Sequence, residues 1–213
     1  MTATTTLPPD IPIFPLPNVV LFPNVFLPLH IFERRYRNMV RDALDGDRII
    51  GMVLLREGAA EESAPQVYPI GCAGVITHAE NLPDGRYNIV LRGVEKFRVR
   101  TEALRNAYRV ASVDALPERT AADERARLRS ARQRVEALLD RRLRDVGSES
   151  TVPREMADDH LVNALAQYLE FEPVEKQLLL EREGVLARCE SLVDLLEMRV
   201  AAAGSSHPRP RVQ

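Results

Sequence analysis

The chain has 213 residues, 45% of them hydrophobic and 28% charged, with a formal net charge of −2 at pH 7. This composition is ordinary for a soluble globular protein, and the charge gives no reason to expect a polyanionic partner. The two cysteines, Cys72 and Cys189, lie far apart and outside any Cys-x-x-Cys pattern. They argue against a disulfide scaffold or a structural zinc site and indicate a reducing, cytoplasmic compartment.

An uncharged, proline-rich run from Ile11 to Phe32 dominates the front of the chain. It is as long as a membrane span, but five prolines interrupt it: Pro12, Pro15, Pro17, Pro23 and Pro28. An interior proline costs a helix about 3 kcal/mol, so a membrane helix is excluded. The apolar residues at 19–22 and 25–27 predict short strands, with proline at strand ends or on a sheet edge.

A helix and a series of strands are predicted after this run. Apolar residues recur at helical spacing from Glu33 to the turn residues at 45–47, so a helix is expected there. The apolar run at 49–55 predicts a buried strand, and the polar stretch at 57–66 predicts a surface loop. Further strands are expected at 71–79 and 87–91, with a turn between them at 83–86. A bulge is expected at Gly93, followed by a strand through Phe97 and Val99 and another strand at 107–116.

The pattern becomes helical from Pro117 onwards. Helices are expected at 118–146, around 161–169, at 173–181 with Pro173 in the first turn, and at 185–201. The residues at 147–153 contain Gly147 and Pro153 and predict a break after the first of these helices. Most of the connections are short, which favours an antiparallel bundle.

These elements predict an α+β protein with a β-rich front half and a helical back half. The first ten residues lack the basic and apolar regions of a secretory signal. The predicted organisation is a flexible N-terminus at 1–10, a β-rich subdomain at 11–117, a helical bundle subdomain at 118–203 and a disordered tail at 204–213.

The signatures of several enzyme classes are missing from the sequence. Its two lysines follow Glu95 and Glu175, so no Gly-Lys phosphate loop exists. It contains no Gly-x-Gly, no Gly-x-Ser-x-Gly elbow and no His-Glu-x-x-His. The sequence therefore predicts no catalytic residue, no cofactor and no metal ion.

Two weak catalytic candidates have simpler structural interpretations. Cys72 lies near His78 in sequence, but six residues of a strand span roughly 20 Å, and buried thiols are usually inert. The acidic pair Asp158 and Asp159 suits a helix N-terminus or a solvated face. A small hydrolase using either group is thus the least favoured of the functional hypotheses.

The front half resembles the substrate-binding domain of Lon proteases. Residues 11–44, "IPIFPLPNVVLFPNVFLPLHIFERRYRNMVRDAL", are similar to its N-terminal signature, and most similar to that of its stand-alone bacterial form. Residues 68–99 match its Gly-x-x-x-x-Ile, Pro-Asp-Gly and Gly-x-x-x-Phe pattern, and residues 175–196 resemble its helical end. Full-length Lon proteases usually carry Arg-Asp where this chain has Pro17 and Asn18, so no role of that pair is carried over.

The resemblance implies a β-rich pseudo-barrel of the PUA-like type followed by a helical bundle. It also implies a domain that captures polypeptides for ATPase and protease modules, neither of which has a counterpart in these residues. We therefore expect a non-catalytic module that recognises unfolded or degradation-targeted proteins. Its expected partners are such polypeptides and a protease or chaperone in trans, with no membrane; the oligomeric state is left open.

A polypeptide binder needs an exposed apolar groove or a strand edge that a peptide extends. The candidate peptide-binding residues are Phe14, Leu16, Phe22, Phe26, Phe32, Arg35 and Tyr36. For each phenylalanine, a place in the core is the alternative. For Arg35 and its neighbours Arg34 and Arg37, the alternative is a solvated helix face.

The alternative function is an RNA-binding PUA-like module. The near-neutral charge argues against it, because nucleic-acid binding depends on a face of unpaired basic residues. The arginines at 118–146 are interleaved with aspartates and glutamates, which is typical of a solvated helix. Nucleic acid is therefore not an expected partner.

Overall fold

The computed structural model of this protein describes residues 7–56, 58, 65–105, 107–145 and 155–205. The described part contains six strands and five helices, which confirms the predicted α+β class. The strands are β1 (Asp10–Leu16), β2 (Phe26–Ile31), β3 (Ile49–Leu54), β4 (Ile70–Asn81), β5 (Tyr87–Arg105) and β6 (Tyr108–Leu116). The helices are α1 (Arg34–Leu44), α2 (Glu124–Asp145), α3 (Asp158–Tyr168), α4 (Pro173–Glu181) and α5 (Gly184–Ser205).

The six strands form one mixed sheet in the order β2-β5-β4-β3-β1-β6. The β1–β3 pair is parallel, and the other neighbours are antiparallel. β5 also pairs with β6, so β5, β4, β3, β1 and β6 form a closed ring of pairings. β2 is attached to β5 outside this ring and is an edge strand.

The core of the sheet lies around the ring of Phe97, which is 0% exposed. Gly51 on β3 and Gly71 on β4 leave room for this ring. A Cβ would lie 2.8 Å from the ring if added to Gly51 and 2.7 Å from it if added to Gly71. The buried cluster around Phe97 consists of Ile11, Ile13, Ile49, Val53, Val67, Ala73, Ala111 and Val113. The members come from five strands and the segment before β4, so this cluster joins the ring of strands together.

The prolines of β1 and β2 occupy positions where no ladder hydrogen bond is required of them. Pro28 lies on the edge strand β2, as expected. β1 lies between two strands, contrary to the expectation of an edge, but its neighbours are staggered. β6 pairs with its first half, which contains Pro12, and β3 pairs with its second half, which contains Pro15. Each proline therefore has one side of the strand unpaired, where a missing N–H costs nothing.

The segment 19–22 is not a strand, although its composition predicted one. It crosses β5 at Gly93, where an added Cβ would overlap the carbonyl oxygen of Phe22. The Asn24 N–H donates to Gly93 O at 2.8 Å, and the Gly93 N–H donates to Val25 O at 2.9 Å. The apolar composition correctly indicated burial, but close backbone contact replaces regular strand pairing here.

β5 is one continuous strand of 19 residues, whereas the sequence predicted two. The predicted bulge is confirmed. Gly74 pairs with Gly93 while the preceding Ala73 pairs with Glu95, so Val94 is the extra residue. The bulge bends the strand without ending it, which is why β5 can pair with β2, β4 and β6 along its length.

Most of the other predicted elements are confirmed. α1 ends at Leu44, before the turn residues, and buries Tyr36, Met39 and Val40. β3 is buried at every residue, and α4 begins at Pro173. The predicted loop at 57–66 and the break at 147–153 lie largely outside the described residues, as do most of the predicted N-terminus and tail. α5 includes residues 204 and 205, which the sequence had assigned to the tail.

The chain divides into two compact units. The first unit contains the residues up to Glu118 together with Asn163–Glu181, and the second contains Arg119–Val162 together with the residues from Arg182 onwards. The helical residues at 163–181 are thus grouped with the strands in the first unit. The predicted division into 11–117 and 118–203 remains a prediction. Within the described residues, no helix has the length and apolar character needed to cross a membrane.

Candidate functional site

β2 is paired on one side only. It runs antiparallel to β5 from the Phe26–Arg92 pair to the Ile31–Tyr87 pair, and no other strand in the described part of the chain pairs with it. Exposed and partly buried residues alternate along β2. The exposed side chains of β2 and their neighbours on β5 and β4 define a surface that we call the outer face: Phe26, Pro28, His30, His78, Glu80, Asn88, Val90 and Arg92.

An open concavity of about 350 Å³ lies on this surface. It is lined by Pro28, Leu29, His30, His78, Asn88, Ile89 and Val90. The lining combines apolar side chains with two imidazoles and one amide. Such a mixture suits an apolar group together with a hydrogen-bonding group.

A chain of hydrogen bonds orients the polar groups of the outer face. The side-chain nitrogen of Asn88 donates to Glu80 Oε2 at 2.8 Å. The side-chain oxygen of Asn88 therefore faces His30 and lies 2.7 Å from His30 Nδ1. His30 Nδ1 therefore carries the hydrogen, and Nε2 accepts from the Arg86 guanidinium at 3.2 Å. Arg86 is itself held by Asp84 at 2.6 Å, and this hydrogen bond lowers the pKa of the Asp84 carboxyl. The imidazole ring is thus held in one orientation at the rim of the concavity.

Two large aromatic side chains are exposed at the ends of β2. Phe26, the first residue of the strand, is 49% exposed, and Phe32, just after its last residue, is 63% exposed. The Phe32 ring also stacks on His30, with the ring centroids 6.4 Å apart. An edge strand with an exposed aromatic residue at each end is a surface that an extended polypeptide can contact.

Side chains of α3 hold the start of β2 in place. The Gln167 side-chain oxygen accepts the buried Phe22 N–H at 3.0 Å, and its nitrogen donates to Phe26 O at 3.3 Å. The Tyr168 hydroxyl donates to the same carbonyl at 2.7 Å. The helix side chains thus satisfy one backbone group in the irregular segment before β2 and one on the first residue of β2.

Asn163 and Lys176 complete this support. Asn163 donates to Pro23 O at 3.0 Å, and Lys176 donates to Gln167 O at 2.6 Å near the end of α3. Burial lowers the pKa of Lys176. Sequence reasoning did not identify Asn163 and Gln167 as supporting residues. Their spacing of four on a helix whose neighbouring residues are apolar was the available signal.

Three of the predicted peptide-binding residues lie in the core instead. Phe14 and Tyr36 are each 5% exposed and pack on one another, with ring centroids 4.3 Å apart, where α1 covers β1. Phe22 is 0% exposed and belongs to the segment whose backbone crosses β5 at Gly93. Their side chains cannot contact a ligand in this conformation, so the assignment of these three residues is corrected.

The other predicted residues lie at or near the surface. Phe26 and Phe32 flank β2, and Leu16 is partly buried at the end of β1. Arg35 is exposed, but its guanidinium lies 4.5 Å from the Tyr36 ring and 2.9 Å from the Glu33 carboxylate. The structure therefore brings Phe26 and Phe32 to the two ends of one strand and shows Arg35 occupied by its neighbours.

The weak catalytic candidates have structural roles. Cys72 is buried on β4, and His78 is exposed six residues further along the same strand, which is a separation of roughly 20 Å. Asp158 accepts a hydrogen bond from Arg132 at 2.7 Å at the start of α3. Burial, with smaller effects of Asp158 and Glu190, raises the pKa of Cys189 to about 12. Among the described residues, no group of three or more His, Cys, Asp or Glu side chains could hold a metal ion.

Ion pairs occupy several arginines of α2. Arg127 lies 2.9 Å from Glu190, and Arg134 lies 2.7 Å from Glu197, both on α5. Arg132 is bound within its own helix by Glu136 at 2.8 Å. These pairs neutralise part of the positive charge that RNA binding would require.

Comparison with known proteins identifies the family. The model of the ATP-dependent protease La (LON) substrate-binding domain matches residues 10–198. The chain belongs to this family. Lon protease 2 of Syntrophobacter fumaroxidans is 32% identical over 196 residues, which are 86% of this chain and 24% of that protein. The Lon protease of Desulfovibrio desulfuricans is 29% identical over 208 residues, which are 94% of this chain and 23% of that protein.

Solved structures show the same fold. The Lon N-terminal domain protein from Xanthomonas campestris has a TM-score of 0.60 and 23% identity, covering 87% of this chain and 97% of that one. The N-terminal domain of Mycobacterium avium complex Lon protease has a TM-score of 0.65 and 19% identity, covering 88% and 98%. This Lon substrate-binding domain spans about a quarter of the length of the curated relatives that it matches. The outer face and its supporting α3 residues all lie within the region that the family model matches.

Proposed function

We propose that this Lon-family domain is a non-catalytic polypeptide-binding module and that the polypeptide contacts the outer face. The observation that carries the proposal is the edge strand β2 with Phe26 and Phe32 exposed at its two ends. The family description, a substrate-binding domain, supports the same class of function.

Unfolded or degradation-targeted proteins are the proposed ligands, because they expose apolar side chains and unpaired backbone groups together. The outer face offers a counterpart to each of these. Phe26, Phe32 and the concavity accept apolar groups, and His78 together with the second amide hydrogen of Asn88 supplies polar contacts. The concavity of about 350 Å³ has room for one or two side chains, so recognition would extend along β2 rather than end in a deep pocket.

The setting of this function is also a proposal. We place the domain in the cytoplasm, where its two buried, free cysteines would remain reduced. A protease or chaperone acting in trans would process the captured polypeptide. We also propose a PUA-like pseudo-barrel, which the closed ring of strand pairings supports, and a helical bundle, which the packing of α2 on α5 supports.

Binding of a permanently unfolded model protein, such as a reduced and carboxymethylated globular protein, tests this proposal. The Phe26→Ser, Phe32→Ser double variant should weaken binding by about tenfold, because exposed aromatic residues dominate such contacts. Leu104→Ser is the matched control, since Leu104 is 77% exposed on the β5–β6 hairpin, away from the outer face.

The possible results of this experiment distinguish a wrong binding site from a wrong function. Undiminished binding by the double variant would place the site elsewhere on the domain. A wild-type chain that binds no unfolded protein at all would overturn the function itself. An RNA-binding role is not proposed, because the arginines of α2 that form ion pairs cannot contribute free positive charge.

A further inference from the structure

The backbone of β2 presents an unpaired hydrogen-bonding edge. The Phe26 carbonyl accepts hydrogen bonds from Gln167 and Tyr168, so it points away from β5. Backbone groups of successive strand residues point alternately to the two sides, so those of Pro28 and His30 point the same way. The free edge therefore offers the Pro28 carbonyl together with the N–H and carbonyl of His30.

An extended segment would match this edge with three main-chain hydrogen bonds. Two would join it to His30 and one to the Pro28 carbonyl. Pro28 has no N–H and the Phe26 carbonyl is already occupied, so the edge is short and cannot template an open-ended sheet. The geometry fits one short added strand.

Two arginines lie at opposite ends of this edge. Arg92 is paired with Phe26 across the two strands, and Arg34 follows Phe32 closely at the start of α1. In contrast to Arg35 and Arg86, neither forms an ion pair within the described part of the chain. The charge at both ends is thus complementary to carboxylates.

A second copy of the chain fits this edge less well. Pairing β2 with itself would bring the arginines of two copies together, which is unfavourable for like charges. It would also place proline, which has no donor, in both strands. Charge and hydrogen bonding therefore favour a foreign, acidic segment as the occupant.

We propose that the free edge of β2 binds an extended polypeptide segment as an added strand and selects segments whose alternating apolar residues are flanked by acidic residues. This inference rests on the proposed polypeptide-binding function and names its binding mode and preferred sequence. Side chains on one side of the added strand would lie beside Phe26, Pro28 and His30, and the flanking carboxylates would lie near Arg34 and Arg92.

Methylation of alternate peptide amides tests the added strand without altering the protein. The probe is a fluorescent peptide with alternating valine and serine residues, a central phenylalanine and glutamates at both ends. One derivative carries N-methyl groups on the odd-numbered amides and the other on the even-numbered amides. A shift of the peptide by one residue along β2 would turn every apolar side chain to the wrong face. The same alternate amides of the peptide therefore always face β2. One derivative should lose affinity by about tenfold or more while the other binds normally.

Charge selection is tested with a lysine-flanked version of the same peptide. It should bind the wild type more weakly than the glutamate version does, and this difference should shrink in the Arg34→Gln, Arg92→Gln double variant. Arg129→Gln, at an exposed position on α2, is the control and should retain the full difference.

Failure of this inference is distinguishable from failure of the proposed function. If the chain binds unfolded protein but both methylated peptides bind equally, the added strand is wrong and the function stands. If the chain binds neither unfolded protein nor peptide, both are wrong. A dimer that forms with rising concentration and is lost in a His30→Pro variant would assign the edge to a second copy and overturn the proposal.

Discussion

The side-chain oxygen of Gln167 accepts a hydrogen bond from the backbone N–H of Phe22 at 3.0 Å, across 145 residues of sequence. The same amide donates to the Phe26 carbonyl. One residue on α3 thus satisfies both ends of the irregular segment that leads into β2. The position of the candidate binding strand therefore depends on a helix in the other half of the chain.

Replacing Gln167 with leucine should destabilise the domain by about 1–3 kcal/mol, because it removes the side-chain acceptor of the buried Phe22 N–H. The free energy of unfolding, measured in urea, checks this expectation. Gln133→Leu is the control, since Gln133 is exposed on α2, and it should change stability by less than about 0.5 kcal/mol. Equal effects of the two substitutions on the free energy of unfolding would show that the Gln167 hydrogen bonds do not stabilise the domain.

Gly93→Ala should be severely destabilising, by about 3 kcal/mol or more, because the new methyl group would overlap the Phe22 carbonyl. Backbone atoms cannot move aside as a flexible side chain can. Gly46→Ala offers a control, because its Cβ would lie 3.5 Å from the nearest atom, an ordinary contact. A Gly93→Ala variant as stable as this control would contradict the close crossing of the two segments.

Lys96 and Glu118 form a buried ion pair at 2.9 Å, with 5% and 13% of their side chains exposed. Lys96 also donates to Leu180 O at 3.0 Å. Glu118→Leu should cost about 3 kcal/mol, because it leaves a buried ammonium group without its carboxylate. The double variant Lys96→Met, Glu118→Leu should be more stable than the single variant. Strictly additive effects of the two changes in unfolding experiments would argue against direct coupling.

Because the Cys189 thiol is buried, the stability of the domain should fall as the pH rises through the alkaline range. Its pKa is raised from 9.0 to about 12, chiefly by burial, so the folded state keeps the proton that the unfolded state loses. Stability is therefore fully present below pH 9 and falls as the pH rises towards 12. The free energy of unfolding should drop with an added slope approaching about 1.4 kcal/mol per pH unit.

The Cys189→Ala variant isolates this contribution, because every other ionisable group of the chain remains present. The comparison uses the pH slope alone, since the smaller side chain lowers stability at every pH. Wild type and variant with parallel pH profiles between 9 and 12 would contradict the raised pKa.

Regular elements with a strong local signal were predictable from sequence. The helical spacing of Tyr36, Met39 and Val40 identified α1, and the proline that suits a first helical turn identified the start of α4. The apolar run of β3 and the bulge at Gly93 were also recognised. Each of these depends on neighbours within a few residues, which sequence patterns record.

The exposure of individual aromatic residues was not predictable from sequence. Phe22 and Phe26 lie four residues apart in the same uncharged run, yet they are 0% and 49% exposed. The first belongs to the segment whose backbone crosses β5 at Gly93, and the second begins an edge strand. Neither circumstance is local. The predicted strand at 19–22 failed for the same reason, since burial by a distant segment produces the same apolar composition as a strand.

Hydrogen exchange of the 213-residue chain, with and without a permanently unfolded protein, tests the central claim most directly. Binding at the outer face should slow exchange in β2, above all at the His30 amide, and should leave the β5–β6 hairpin around Leu104 and the exposed face of α2 unchanged. Unchanged exchange throughout β2, together with slowed exchange at the hairpin or at α2, would contradict this account of where the polypeptide binds.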